Sequence, residues 1–266
     1  MSIQWSLCVM NKAALVICAV FLLLPRLGGG ASAIMEDAVE ETHQLGPRGT
    51  VTVRNLDGRI HLYASEGPEM KIFALKRAFS QERLDALQVK TTINGRTAVI
   101  DTIYPERPEG AGEDRSGTVD YRIYLPQDCT VELAELANGE ILLEGLRGDS
   151  ATARVGNGRL VARNCFTALD VKVGRGGMDL FYTWWEDAAF SIAAESTLGN
   201  IRLGLPPDAA AVVDAATQNG HVRSQFDQEK PPDDHARARQ LTIGAGSEVQ
   251  FRLRATNGNI RIDRSY

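Results

Sequence analysis

The tetrapeptide Asn138-Gly139-Glu140-Ile141 is one copy of a phrase that recurs along this 266-residue chain: a turn residue, a glycine, a variable residue and an aliphatic residue. The other copies are Asp57–Ile60, Asn157–Leu160, Leu198–Ile201, Asn219–Val222 and Asn257–Ile260, with a degenerate copy at Arg175–Met178. From Gly139 onward the glycines are 19, 18, 23, 21 and 38 residues apart, and the last step is about two periods. A near-constant period of about 20 residues is typical of stacked supersecondary units rather than of an enzyme fold built around a pocket.

Short β segments flank each copy, for example Glu140–Leu143 and Ala151–Val155. Strands of this length form no stable hairpin alone, but stacking equivalent strands about 4.8 Å apart pairs their backbones and continues one apolar stripe. Asn or Asp followed by Gly adopts positive φ readily, which would explain the repeated turn. The pattern therefore predicts an all-β fold, with a parallel β-solenoid or β-helix-like repeat array over residues 130–266.

The first 33 residues are typical of a secretory signal peptide, with Lys12, the apolar run Ala13–Leu24 and a small-residue cleavage site at Ala31-Ser32-Ala33. The run has 12 residues, too few at about 1.5 Å each to cross a bilayer core of about 30 Å. We expect a cleaved leader and an exported protein, periplasmic or at the cell surface, with no membrane span after cleavage. An uncleaved anchor is the alternative, and either Met1 or Met10 could be the start.

Between the leader and the array, residues 34–48 show no periodicity and are expected to form a flexible arm. Residues 49–129 alternate with period two and predict a β-rich segment with one short helix at 81–87, capped by Ser80. This segment is continuous with the array, and the two could form one domain. Pro105–Gly117 is expected to be a mobile loop. Gln225–Gln240 is expected to be a loop that replaces about one turn of the array.

The net charge restricts the binding partners that we expect, and the spacing of the cysteines bears on whether they form a disulfide. Removing residues 1–33 removes Lys12 and Arg26 and no acid, so the formal charge moves from −5 to −7. An acidic exported domain is a poor candidate for binding nucleic acid or anionic lipid. Cys129 and Cys165 are 36 residues apart, which would separate them by about two strand spacings, or roughly 9.6 Å. A disulfide normally needs Cα atoms within about 7 Å, so a disulfide and two buried thiols both stay open.

Three stretches carry a resemblance to a known bacterial group. They are the opening Val51–Leu62, the Tyr-Arg-Ile-Tyr-Leu-Pro strand at Tyr121–Pro126, and Leu203–Asp208, which stand among the serial Asn-Gly-x-Ile phrases. Over about residues 48–263 the chain resembles the putative-adhesin domain of unknown function, a relative of the head GIN domain. The resemblance implies an all-β, solenoid-like envelope protein, sometimes associated with envelope-stress systems, with no established catalytic residues.

Catalytic and metal-binding patterns are weak. The four histidines, His43, His61, His221 and His235, have no ligand spacing, so no metal or cofactor is expected. Gly174–Phe181 loosely resembles a calcium-binding nonapeptide, but one copy is typical of a plain turn. Because β-helices can carry glycosidases, carboxylate pairs must also be considered. The candidates are Asp120 with Glu132 and Asp170 with Asp179, although alternating acids on strands usually form a solvated face.

The densest aromatic stretch is Leu180–Trp185. Adjacent residues on a strand point to opposite faces, so at least one of Trp184 and Trp185 should be exposed. Together with Tyr182 they form a candidate surface for a glycan or protein partner. The alternative is that these rings cover the core. Arg147-Gly148-Asp149 matches an integrin-type tripeptide but also suits a turn between two repeats.

We therefore expect a non-catalytic exported envelope protein. It would be an adhesin-like or scaffold module that contacts a protein or glycan through an elongated β surface. A carbohydrate-active enzyme on a β-helix is the first alternative. An envelope-stress partner of a membrane regulator is the second.

Overall fold

The protein is described by a computed structural model over residues 34–106, 110, 114–226, 235–245 and 248–265. The all-β class is confirmed: these residues form sixteen strands and one short helix. The elements are β1 Met35–Gln44, β2 Thr50–Ser65, β3 Glu69–Ala78, α1 Gln81–Ala86, β4 Gln88–Asn94, β5 Thr97–Ile103, β6 Thr118–Pro126, β7 Thr130–Glu144, β8 Ser150–Arg163, β9 Ala168–Phe181, β10 Ser191–Leu198, β11 Ile201–Leu205, β12 Ala211–Asn219, β13 Val222–Ser224, β14 Ala238–Ile243, β15 Gln250–Asn257 and β16 Ile260–Arg264.

The strands belong to one mixed sheet with a long parallel middle. β2, β7, β8, β9, β10, β15 and β12 pair in that order, all in parallel. Antiparallel strands β3, β4 and β14 flank this run. The sheet is open, so the predicted solenoid or β-helix character is not confirmed. Because β2 pairs with β7, the predicted N-terminal segment and the repeat region share one sheet.

Each long strand changes its buried side at the glycine of the repeated phrase. In β2, Val51 and Val53 are buried before Gly58, whereas Ile60 and Leu62 are buried after it. A change of parity moves the apolar set to the other face, so the strand turns around the core. We call the part before the glycine the first arm and the part after it the second arm. β5, β10, β12 and β15 belong to the first arm, and β6, β11, β13 and β16 belong to the second.

The glycines stack on one another along the bend. Gly58, Gly139, Gly158 and Gly176 are paired in register, and their φ angles lie between +126° and +140°. A methyl group at Gly176 would overlap the carbonyl oxygen of Gly158, and a methyl group at each of the other bend glycines would also overlap a backbone carbonyl oxygen of a neighbouring strand. Glycine is thus required by backbone conformation and by the close approach of the next strand.

The asparagines before these glycines have a different role from the one expected. Within the described residues, the only non-glycine residues with positive φ are Arg48 and Asn164, so the turn asparagines do not adopt that conformation. Instead they form side-chain ladders across the strands. Asn157 donates its amide N–H to Asn138 (3.0 Å), and Asn138 donates to Asp57 (2.8 Å). The repeated phrase therefore specifies both a bend at the glycine and a row of side-chain hydrogen bonds across neighbouring strands.

The last two strands of the chain, β15 and β16, lie between earlier strands rather than at the end of the sheet. β15 lies between β10 and β12, and β16 lies between β11 and β13. Accordingly, Gly258 lies between Gly199 and Gly220 in the glycine row. The expectation that Gln225–Gln240 replaces a turn is wrong for its described part. Between the two glycines the chain forms β14, which pairs with β12, and then returns; residues 227–234 lie outside the described residues.

The expectation of a flexible arm at 34–48 is also wrong. β1 pairs antiparallel with β3 along its whole length, from Met35 to Gln44. Two ion pairs hold it, Asp37 with Lys76 (2.6 Å) and Glu36 with Arg77 (2.7 Å). Cross-strand pairing therefore orders a segment that has no apolar periodicity of its own.

The single helix agrees with its prediction. The Ser80 hydroxyl accepts the N–H of Arg83 (3.3 Å), and Leu84 and Leu87 are buried. In the part of the chain that the structure describes, no helix has the length and apolar character needed to cross a membrane. The predicted leader and much of the predicted loop at 105–117 lie outside the described residues.

Cys129 and Cys165 are buried and unpaired. Burial raises the pKa of Cys129 to about 11 and that of Cys165 to about 12. Because the thiolate is the reactive form, we expect neither thiol of the folded 34–266 chain to react with Ellman's reagent at pH 8. Both should react after unfolding in guanidinium. Rapid labelling of either cysteine in the folded protein would contradict this prediction.

Candidate functional site

The connection between β9 and β10, residues 182–190, covers one side of the core with aromatic rings. Tyr182 and Phe190 are buried and lie near Phe251 of the inserted β15, with ring centroids 5.7 and 6.1 Å from it. The 23-residue step in the glycine period corresponds to this longer connection. The aromatic stretch therefore packs against the last turn of the chain as well as against its neighbours in sequence.

Two of the three predicted partner-binding residues point inward. Tyr182 is only 2% exposed, and its hydroxyl donates to the backbone carbonyl of Cys165 (2.9 Å). Burial raises the pKa of Tyr182 well above its usual value. Trp185 packs on Phe190 and Tyr182, with centroid distances of 5.5 and 5.9 Å. These contacts indicate that Tyr182 and Trp185 support the core.

Trp184 is different because 46% of it is exposed. Its indole N–H donates to the Glu186 carboxylate (3.1 Å), and its ring lies 6.1 Å from that of Phe166. Arg147 donates two hydrogen bonds to the same carboxylate, one of them 3.2 Å long, and its guanidinium lies 5.5 Å from the Phe166 ring. Trp184, Glu186, Arg147 and Phe166 thus close a circuit of contacts, which we call the Trp184 surface.

The electrostatics of this surface keep the carboxylate charged. Partial burial raises the pKa of Glu186, but hydrogen bonds from Arg147 and Trp184 outweigh burial and lower the pKa overall. An anionic carboxylate bound to a guanidinium in two places is a strong and directional contact. The exposed indole is therefore held in one orientation beside a fixed charged pair.

Sequence reasoning missed Arg147 and Glu186 as partners. The two residues are 39 positions apart, and no local pattern joins them. The match of Arg147-Gly148-Asp149 to an adhesion tripeptide also singled out Arg147, but not as a partner of Glu186. In the structure Arg147 is bound by Glu186, and a side chain at Gly148 would overlap the Cys129 carbonyl. The tripeptide is packed into a turn rather than presented as a loop.

The structure does not bring the candidate acid pairs together. Asp120 lies on the second arm and binds Arg77, whereas Glu132 lies on the first arm and accepts from Thr52 (3.2 Å). Asp170 on the first arm binds Arg154, and Asp179 on the second arm binds Arg159. Each acid is thus a partner in a surface contact of its own arm.

The structure also locates two of the histidines and the nonapeptide-like stretch Gly174–Phe181. His221 and His235 come together, with ring centroids 5.3 Å apart, a proximity that the sequence did not indicate. Across the described ranges, no three His, Cys, Asp or Glu side chains gather as metal ligands. Gly174–Phe181 lies in β9, where Gly176 forms the bend.

A surface groove of about 580 Å³ crosses the strands of the first arm. Its lining includes Gly156, Gly174 and Arg154, and Arg154 lies between Glu135 and Lys172 in the strand register. Glu195 continues this row beside Lys172. Glu135 and Glu195 are three strands apart, or about 14 Å between backbones, whereas a glycosidase needs carboxyl groups about 5–9.5 Å apart. This geometry does not favour the enzyme alternative.

The fold is similar to that of a solved structure. A putative cell adhesion protein from Clostridium sporogenes is similar over 86% of this chain and 100% of its own, with 14% sequence identity and a TM-score of 0.50. This likeness shows a shared fold. Putative adhesins from Bacteroides fragilis and Parabacteroides distasonis match 86% and 85% of this chain, at 10% and 8% identity and TM-scores of 0.32 and 0.23. No protein-family model and no curated protein matches the chain.

Proposed function

We propose that this chain is a non-catalytic, exported binding module of the cell envelope, adhesin-like or scaffolding in role. Its partner is a glycan or protein of the envelope, and it works in the periplasm or at the cell surface. The fold shared with the Clostridium sporogenes protein supports a place among the putative adhesins. The parallel turns around one row of glycines support a solenoid-like body with an elongated surface.

The observation that carries this proposal is the rigid exposure of Trp184. An exposed indole normally samples several orientations, and a partner must then order it at a cost of about 0.5–1.5 kcal/mol. Here Glu186 and Phe166 hold the ring before any partner arrives. A flat ring beside a carboxylate and a guanidinium suits the apolar face and the hydroxyls of a sugar, and it also suits a protein anchor.

We expect Trp184→Ala to lose the partner. Crosslinking pull-down from intact cells, read for both glycans and proteins, should recover at least about tenfold less partner than the wild type. Trp185→Ala is a poor test because Trp185 packs on Tyr182 and Phe190. Once cleaved, the chain has Trp184 and Trp185 as its two tryptophans, so intrinsic fluorescence reports directly on this site when a captured glycan is titrated.

Leu198→Ala is the matched control, because Leu198 is similarly exposed (45%) but is the last residue of β10, away from the Trp184 surface in the sequence. It should capture the partner as the wild type does. An unchanged partner list with Trp184→Ala would contradict the proposal. An equal loss with both variants would show that general surface hydrophobicity, rather than Trp184, drives capture.

A further inference from the structure

Five Asn-Gly pairs occur in the chain, and one of them lies outside the row of bend glycines. Asn94-Gly95 joins β4 to β5. The other four belong to the repeated phrase, at Asn138, Asn157, Asn219 and Asn257. An Asn-Gly pair readily loses its side-chain amide, because glycine places no side chain beside the backbone nitrogen that attacks the amide. The surroundings of each pair then decide which of the five reacts.

The Asn94-Gly95 turn is open to solvent and leaves both reacting groups free. Gly95 and Arg96 form a two-residue hairpin connection, and the φ of +60° at Gly95 is typical of a type II′ turn. Asn94 and Gly95 are both exposed. Neither the Asn94 side-chain amide nor the Gly95 N–H makes a hydrogen bond to any residue that the structure describes. The Asn94 amide can therefore rotate towards the backbone nitrogen of Gly95.

The asparagines of the repeated phrase are held by their neighbours, although Asn157, Asn219 and Asn257 are exposed as well. Asn219 donates its amide N–H to Asn257 (2.9 Å), as Asn157 does to Asn138 (3.0 Å). At Asn257 the attacking group is also engaged, since the Gly258 N–H donates to the backbone carbonyl of Asn219 (3.0 Å). A reaction at these positions must first break the ladder, so exposure alone does not set the reactivity.

We propose that Asn94 is a site of spontaneous deamidation and isomerisation in the folded protein. The Gly95 backbone nitrogen attacks the side-chain carbonyl carbon of Asn94, and the proton of that nitrogen leaves with the amide nitrogen as ammonia. The resulting succinimide ring adds water at either carbonyl and opens to aspartate or isoaspartate. Every atom comes from the two residues and water. The site lies on β4 and β5 and does not depend on the function proposed for the Trp184 surface.

Isomerisation would alter an edge of the sheet. Among the described strands, β4 pairs only with β5, and the Arg96 carbonyl of their connection accepts the N–H of Thr50 (2.8 Å). An isoaspartate at position 94 adds one carbon to the main chain between these contacts and places a new carboxylate at the turn. The extra carbon disturbs the pairing of Asn94 with Thr97, so we expect the amides of β4 and β5 to exchange faster.

The test follows all five sites by peptide mapping while the 34–266 chain is kept at pH 8. Each site is scored for the mass gained when an amide becomes an acid, and for the retention shift that separates isoaspartate from aspartate. We expect Asn94 to react at least about tenfold faster than each ladder asparagine, because the other four sites require local opening of the sheet. In guanidinium the five rates should become similar, since the dipeptide is the same.

Asn94→Gln is the matched variant, because glutamine keeps the amide but must form a larger ring and so reacts far more slowly. Hydrogen exchange of fresh and aged protein gives a second readout. Ageing should speed exchange in β4 and β5 of the wild type and leave the variant unchanged.

Three results would overturn the proposal. The first is a similar rate at all five sites of the folded chain, and the second is a ladder asparagine that reacts faster than Asn94. The third is an intact Asn94 in the folded chain under conditions in which the unfolded chain reacts at every site. Equal exchange in aged wild type and aged Asn94→Gln would contradict the proposed effect on β4 and β5.

Discussion

Gly176→Ala should destabilise the protein by at least about 4 kcal/mol, whereas Gly177→Ala, one position along, should change stability by less than about 1 kcal/mol. Gly176 has a φ of +132°, and a methyl group there would overlap the carbonyl oxygen of Gly158. A strained φ alone costs about 1–3 kcal/mol, and the overlap with rigid backbone adds to that. At Gly177 a methyl group would meet nothing within 4 Å, and alanine also lowers the entropy of the unfolded chain.

Thermal and urea unfolding of the two variants checks this prediction. For a chain of this size, 4 kcal/mol corresponds to a fall in Tm of about 10 °C. Both variants change Gly to Ala in the same strand, so differences in strand propensity cancel. Equal stabilities would show that the stacked glycines are not required by close backbone approach.

Deleting residues 250–266 should unfold the region around the C-terminal strands rather than only shorten the sheet. β15 and β16 lie between β10–β11 and β12–β13, so their loss leaves a gap in the sheet. Phe251, Leu253, Ile260 and Ile262 are all buried, and each contributes about 1.5–3 kcal/mol. The loss of about 6–12 kcal/mol is comparable to the whole stability of an ordinary domain.

Limited trypsin digestion and gel filtration measure the effect, and a chain that lacks only residues 264–266 is the control. The control keeps all four buried side chains and should stay resistant to trypsin. A repeat array in simple sequential order would place the last turn at one end, where its removal leaves the other turns paired. A truncated chain as resistant as the control would therefore contradict the inserted position.

Several features of the fold follow from local sequence alone. Ser80 caps a helix because its hydroxyl reaches the Arg83 N–H within one turn. The alternation of Val51 and Val53 predicts a strand, and both side chains are buried in β2. Adjacent Trp184 and Trp185 predict at least one exposed ring, and Trp184 is exposed whereas Trp185 is half-buried. Each of these signals acts over a few residues, where the backbone geometry alone relates the side chains.

Other features depend on contacts between distant residues. β1 has little apolar character, and its pairing with β3 is what orders it. Arg147 meets Glu186 across 39 residues, and Arg202 meets Asp263 across 61. No periodicity marks such pairs, because their proximity depends on which turns are neighbours in the sheet.

By itself, the sequence determined that this is an all-β protein whose strands bend repeatedly at glycines, because a glycine with positive φ is a local requirement that the residue type records. Only the tertiary structure decided that Gly258 lies between Gly199 and Gly220, and that the asparagines form a ladder. The order of stacking depends on which backbones pair and which apolar surfaces are buried together. Those energies arise between residues far apart in the chain. The glycine period therefore indicates where the chain turns, but not which turns lie next to each other in the sheet.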